Sequence, residues 1–262
     1  MDRHPGQVAL AAAGGAQASL ALRPLALLRL LHLASPGLPV GAYSYSQGLE
    51  SAIDAGIVVG EPGALAWITD TLNYSVARLE APVFCRLYQS WATNDAAAVR
   101  HWSEFFLAAR DTAEFRAETI QMGYSLARLL SELLPGHALA PALADASANA
   151  ATQVLPYPAA MAAAAVMLET PLDASLHAYL FSWVENQVLA ALKGVPLGQM
   201  AGQRMLLKLE HAVTEAAAVA LRSSVIGETR SAAAPALPAV RHTNRLAAMM
   251  RMEIIVLSLF FR

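Results

Sequence analysis

Apolar residues recur at every third or fourth position through most of this chain, in blocks separated by joints marked with proline and glycine. Nowhere do they alternate convincingly with polar ones. That spacing is the period of one face of a helix, not of a strand. Leu65, Ile68, Leu72, Val76 and Leu79 make one such stripe, Leu176, Leu180, Trp183, Val184 and Val188 a second, and Met205, Leu206, Leu209, Val213 and Ala216 a third. Alanine and leucine dominate, 56% of residues are hydrophobic and only 15% are charged, a composition that favours helices over strands. The pattern predicts an all-α fold, a single domain of roughly ten packed helices. It spans residues 19–228, after a disordered leader over 1–18 and before a linker and C-terminal partner-binding tail over 229–262.

Within that domain the breaks are placed by proline, glycine and capping residues. A first helix over Ser19–Ala34 is stopped by Ser35-Pro36-Gly37, and a second is expected from about Ser46 to Ala55. Glu61-Pro62 opens the next, and Pro82 is expected to kink or split it near Glu80, because proline removes a donor inside a helix. Further helices are expected over about Ala96–Ala109, from Asp111 to about Leu134 with Asp111 and Thr112 as cap candidates and Glu114 three residues after Asp111 as in a capping box, over Pro141–Ala151 and over Ala159–Glu169. Pro156-Tyr157-Pro158 reads as a hinge, and the last two helices run from Pro171 and Asp173 to Lys193-Gly194 and from Gly198 to Arg222. Gly123 inside a helix costs about 1 kcal/mol against alanine, which close approach of a neighbouring helix would offset.

Several chemistries are missing. The net charge is -2 without a basic run, so no footprint for nucleic acid exists. The single cysteine, Cys85, forms no internal disulfide and sits in an apolar helical setting that reads as inert packing, in keeping with a reducing compartment. None of the seven histidines lies three or four residues from another, and no Cys-x-x-Cys occurs, so no helix face offers a paired metal site. No phosphate loop and no nucleophile elbow are present. No apolar run reaches the roughly 20 residues that span a bilayer. Arg110, Glu114, Arg116 and Glu118 read as surface ion pairs at helical spacing. No catalytic residue, metal ligand or cofactor emerges, and the chain reads as a binding protein rather than an enzyme.

What remains is two polar joints on an apolar helical body. The first is Leu38–Glu50, L-P-V-G-A-Y-S-Y-S-Q-G-L-E, in which Ser46 is placed to cap the following helix and Glu50 to lie near its positive end. Its tyrosines read as core filling, and Tyr45, Ser46 and Glu50 are also candidates for partner contact. The second is Lys193–Arg204, K-G-V-P-L-G-Q-M-A-G-Q-R. Lys193 ends a helix, where its charge suits the negative end of the dipole. Alternatively Lys193, Gln199, Gln203 and Arg204 present donors around the Pro196-Leu197-Gly198 turn to an acidic partner.

These two joints, together with Arg110–Gly123 (R-D-T-A-E-F-R-A-E-T-I-Q-M-G), carry a family resemblance. The chain resembles the urease accessory family UreF from about Leu27 to about Arg222. The resemblance implies a cytoplasmic two-fold homodimer that binds UreD (also called UreH) and recruits the GTPase UreG. GTP hydrolysis by UreG then accompanies nickel delivery to the urease apoprotein. On that reading the chain is scaffold and regulator of the GTPase, and the Lys193–Arg204 turn is where UreG is engaged. The family tail is matched at Arg251, Glu253, Leu259, Phe260 and Arg262, whereas Met252, Val256 and Ser258 replace its histidine, tyrosine and arginine. The tail, almost wholly apolar over Ile254–Phe261, is expected to dock on UreD through burial, or else to fold onto the chain's own core. Two other readings are a helical enzyme using Tyr45 and Glu114, and a peripheral membrane protein using Ile254–Phe261; the lack of basic residues beside that run weighs against the latter.

Overall fold

A computed structural model describes residues 22–42, 45–110, 112–148 and 154–229, and among them every regular element is helical. The helices are α1 (Pro24–Ala34), α2 (Leu49–Asp54), α3 (Gly60–Thr71), a π-helical segment (Leu72–Glu80), α4 (Ala81–Ala92), α5 (Ala96–Ala108), α6 (Ala113–Leu133), α7 (Ala140–Ala148), α8 (Tyr157–Met167), α9 (Leu172–Gly194) and α10 (Gln199–Thr229). The all-α expectation is met.

The helices pack around α8. Its own side chains are small: six of the seven residues from Ala159 to Ala165 are alanine, the exception being Met161, and all seven are buried. A helix that is apolar on every side must lie inside the core. Short side chains let other helices come close, and α4, α6, α9 and α1 all pack on it. The longest interface joins α9 to α10, and α4 is also packed against α5, α9, α10 and the π segment. One contiguous hydrophobic cluster runs through all these contacts.

Pro82 does not split the helix. It lies in the first turn of α4, and the turns before it widen: the Ala81 N–H donates to the Val76 carbonyl, five residues back. Widening the helix there absorbs the proline without a break. It also leaves Glu80 in line with Leu72 and Val76 on the buried face.

Capping differs in detail from expectation. Asp95 caps α5 by accepting from the Ala98 N–H at 2.9 Å, and Thr112 caps α6 by accepting from the Phe115 N–H at 3.1 Å. Thr112 is one of the two caps expected there, and the other, Asp111, lies outside the described residues. The Pro156-Tyr157-Pro158 hinge is instead the start of α8, with Pro156 as its N-cap residue and proline in the first turn. A Cβ at Gly123 would lie 2.0 Å from the Leu155 carbonyl oxygen, so close approach does occur, by the backbone entering α8.

Among the described residues no helix is long and apolar enough to cross a membrane. The expectations for the leader, for Tyr43 and Ser44, and for Arg251, Glu253, Leu259 and Phe260 fall outside the described residues.

Candidate functional site

The first joint is held from both sides. Leu38 and Val40 are buried, and the Asn186 amide donates to the Tyr45 carbonyl at 2.9 Å. Gln47 and Gly48 then take left-handed conformations, with φ of 50° and 86°. Two such residues in succession cannot belong to a helix, so α2 begins at Leu49 rather than at Ser46. Ser46 is not its N-cap residue; Gly48 is, although the Ser46 hydroxyl still accepts from the Glu50 N–H at 3.4 Å. Tyr45 and Ser46 are half-buried and Glu50 is exposed.

The second joint meets the first through α2. A Cβ at Gly194 would lie 2.8 Å from Ile53 Cδ1, so α2 is packed on the end of α9. Around the following turn Lys193, Pro196, Gln199, Gln203 and Arg204 are exposed, and Leu197 is half-buried against the core. The structure corrects one part of this patch. Arg204 donates to Glu61 at 2.8 Å and Lys208 to the same carboxylate at 3.2 Å, so Arg204 is engaged within its own chain. These two cations hold the Glu61 carboxyl below its usual range. Met200 and Leu207 sit on the same part of α10 with 69% and 67% of their surface exposed. They lie seven residues apart, two helical turns, and so share a face. A search for polar groups passes over them.

Beneath the first joint lies a cleft of about 70 Å³. Glu80 enters it from the π segment, Arg110 from the loop after α5, Glu118 and Thr119 from α6, Tyr157 from α8, and Tyr179, Trp183, Glu185 and Asn186 from α9. Glu80 accepts from both the Arg110 guanidinium and the Tyr179 hydroxyl. Arg110 also stacks over the Phe106 ring, 4.3 Å from its centroid, and Tyr179 stacks on Phe84 at 4.9 Å. Gln47 supplies the second chain of bonds. The Trp183 indole N–H donates to its carbonyl oxygen at 2.8 Å, and its amide donates to Glu118 at 3.0 Å. The left-handed turn is what aims Gln47 between these two groups.

This geometry overturns the reading of Arg110, Glu114 and Glu118 as surface pairs. Arg110 reaches Glu80 from a position thirty residues away in sequence, and Glu118 is 8% exposed. The reason is register: Glu118, Met122, Leu126 and Leu130 are four residues apart, so Glu118 continues the buried stripe of α6. Glu114 and Arg116 are exposed, in the first turn of α6, and neither lines the cleft. Glu80 was visible in the same way, four residues after Val76 in a stripe of the same period. Nothing in the sequence marked Gln47 or Asn186.

Burial pushes the Glu118 carboxyl up to about 7, with the Gln47 amide and the Arg110 charge opposing the shift and the Glu80 charge adding to it. Burial likewise raises Glu185 and the Tyr157 and Tyr179 phenols. The unfolded chain loses the Glu118 proton in the ordinary carboxyl range and the folded one near 7, so the folded state binds more protons in between. Stability conferred through Glu118 is therefore present in acid and lost as the pH rises to about 7. The loss is on the order of 3 kcal/mol. Glu118→Gln should flatten this slope in denaturation midpoints measured across the window; an unchanged slope would assign the pH dependence to other groups.

Cys85 is buried and its thiol is pushed up to about 12 by desolvation, as inert packing requires. Among the described residues no group of three or more His, Cys, Asp or Glu side chains is gathered as a metal would need.

The comparisons with known proteins agree on one family. The family model of UreF matches residues 58–210. The urease accessory protein UreF of Janthinobacterium sp. (strain Marseille) is 58% identical over 195 residues, covering 74% of this chain and 84% of the relative. UreF of Azoarcus sp. (strain BH72) is 52% identical over 194 residues, covering 72% and 80%. The bifunctional urease accessory protein UreEF of Bordetella bronchiseptica is 53% identical over 183 residues, covering 70% of this chain and 41% of the relative.

Proposed function

The chain belongs to the UreF family of urease accessory proteins, and on that premise we propose that it is an assembly scaffold for urease maturation. In this reading a homodimer in the cytoplasm binds UreD and presents a surface that recruits UreG. The UreG GTPase then drives nickel insertion into the urease apoprotein, with nickel as cargo. The chain organises these proteins and regulates the GTPase, and contributes no catalytic group.

The observation that carries the reading is the exposed turn after α9, seated against α2, which the family resemblance makes the segment that engages UreG. Lys193, Pro196, Gln199 and Gln203 stand exposed there, with Met200 and Leu207 as apolar neighbours. A patch in which a few polar groups surround exposed apolar ones suits a protein interface. Arg204 is paired with Glu61 beside it.

In a pull-down from cells expressing the urease gene cluster, the parent chain is expected to capture UreD and UreG. Lys193→Ala should keep UreD and lose most of UreG. Full capture of UreG by that variant would remove Lys193 from the interface.

We further propose that residues 19–228 form the scaffold and that the tail after them binds UreD through its apolar run. Deleting Arg251–Arg262 should abolish co-purification with UreD; undiminished recovery would refute that role. The fused UreEF relative fits the same picture, since it joins two accessory activities in one polypeptide.

A further inference from the structure

The cleft beneath the first joint has an unbalanced charge. Three carboxylates line it, Glu80, Glu118 and Glu185, and one cation, Arg110. Arg110 is committed to Glu80, which the Tyr179 hydroxyl also satisfies. Glu118 has a neutral amide as its partner, and among the described residues neither Glu118 nor Glu185 forms an ion pair. A buried carboxylate without a cation is costly, and its cost is relieved when a cation arrives.

The shape and lining fit one kind of cation. About 70 Å³ holds several water-sized groups, enough for a guanidinium or ammonium head. The aromatic side chains of Tyr157, Tyr179 and Trp183 line the cleft beside the carboxylates. The lining also includes the apolar side chains of Leu38, Val40, Phe115 and Leu189. Such side chains suit the methylene stem of a long side chain that carries a charged head. A free inorganic cation would have no use for them.

We infer that this cleft receives an arginine or lysine side chain of a partner polypeptide, with Glu118 as its principal counter-ion and Glu185 as the second. That the occupant is a polypeptide rests on the scaffold reading above; the charge and shape of the site do not. Binding strengthens as the pH rises through the range in which Glu118 ionises. The other titratable groups facing it are Glu80, Glu185, Arg110, Tyr157 and Tyr179.

The test titrates the full chain with acetyl-Leu-Arg-Leu-amide, with the same peptide carrying neutral citrulline, and with methylguanidine. The readout is the NMR signal of the Trp183 indole N–H, assigned through Trp183→Phe. The arginine peptide is expected to shift that signal saturably and to bind about tenfold tighter than the citrulline peptide. It should also bind more tightly at about pH 8 than at about pH 6. Glu118→Gln, nearly isosteric and checked for folding by its melting temperature, should weaken the arginine peptide about tenfold, and Glu185→Gln should weaken it less. The inference is overturned by no saturable shift, by equal binding of the citrulline peptide, by methylguanidine binding as tightly as the peptide, or by unchanged binding to Glu118→Gln. No urease component is present in this titration. Its failure therefore removes the cleft alone, whereas loss of UreD and UreG in the pull-down removes the scaffold reading.

Discussion

Gly123→Ala is expected to lower the melting temperature by about 10 °C or to leave the chain unable to fold. In an exposed helix the same change would stabilise by about 1 kcal/mol, because glycine is the poorer helix former. Here the new methyl group would sit 2.0 Å from the Leu155 carbonyl oxygen and 2.8 Å from the Pro156 carbonyl carbon. Ordinary contact begins farther out than either, roughly at 3.4 Å between heavy atoms. Both obstacles are backbone, so no rotamer change relieves them. Either α6 or the start of α8 must shift. Such a shift would break the bond from the Tyr157 N–H to the Thr119 hydroxyl, now 3.0 Å, and loosen α8 in the middle of the core. Overpacking of this kind costs about 3 kcal/mol or more, which outweighs the propensity gain. Gly136→Ala is the control: nothing lies within 4 Å of its added Cβ, and its melting temperature should stay near the parent's. Equal melting temperatures for the two variants would show that α6 and α8 are not so closely apposed.

The contrast between these glycines also marks what could be read in the sequence. A glycine in the middle of the strong α6 stripe announced that something comes close there. It did not announce that the neighbour is the carbonyl of Leu155. Helix identity was legible because each helix has its own stripe and its own stop, as α9 does between Pro171 and Gly194. Pro82 was legible as a disturbance, but its resolution into wide turns was not, because that depends on packing against α10 and α4. The second joint could be read as an exposed polar turn, since its residues are contiguous. The cleft could not. Its charged members come from positions 80, 110, 118 and 185, and only folding brings them together. Reading Arg110 with Glu114 followed the rule for neighbours on one helix, but Arg110 precedes α6 and points away to the π segment. A carboxylate in phase with leucines was the available signal for both Glu80 and Glu118.

Arg110→Ala should destabilise the chain by about 3–5 kcal/mol, although arginine at a loop position is ordinarily an inexpensive residue to truncate. The side chains of Arg110 and Glu80 are 14% and 6% exposed, so the pair is shielded from the water that would otherwise solvate either charge. Removing the guanidinium leaves Glu80 with the Tyr179 hydroxyl as its partner and takes away the stacking over Phe106. The dominant cost is the orphaned carboxylate, not the lost attraction. Replacing both members distinguishes the two. Glu80→Leu combined with Arg110→Leu removes both charges, fills part of the space and continues the Leu72–Val76 stripe. The double variant should recover most of the stability that Arg110→Ala loses, giving a coupling of at least about 2 kcal/mol between the sites. Denaturant unfolding of the parent, Arg110→Ala, Glu80→Leu and the double variant checks this. Additive losses would mean that the charges are solvated through the cleft and that the pair contributes to positioning Arg110 rather than to burying Glu80.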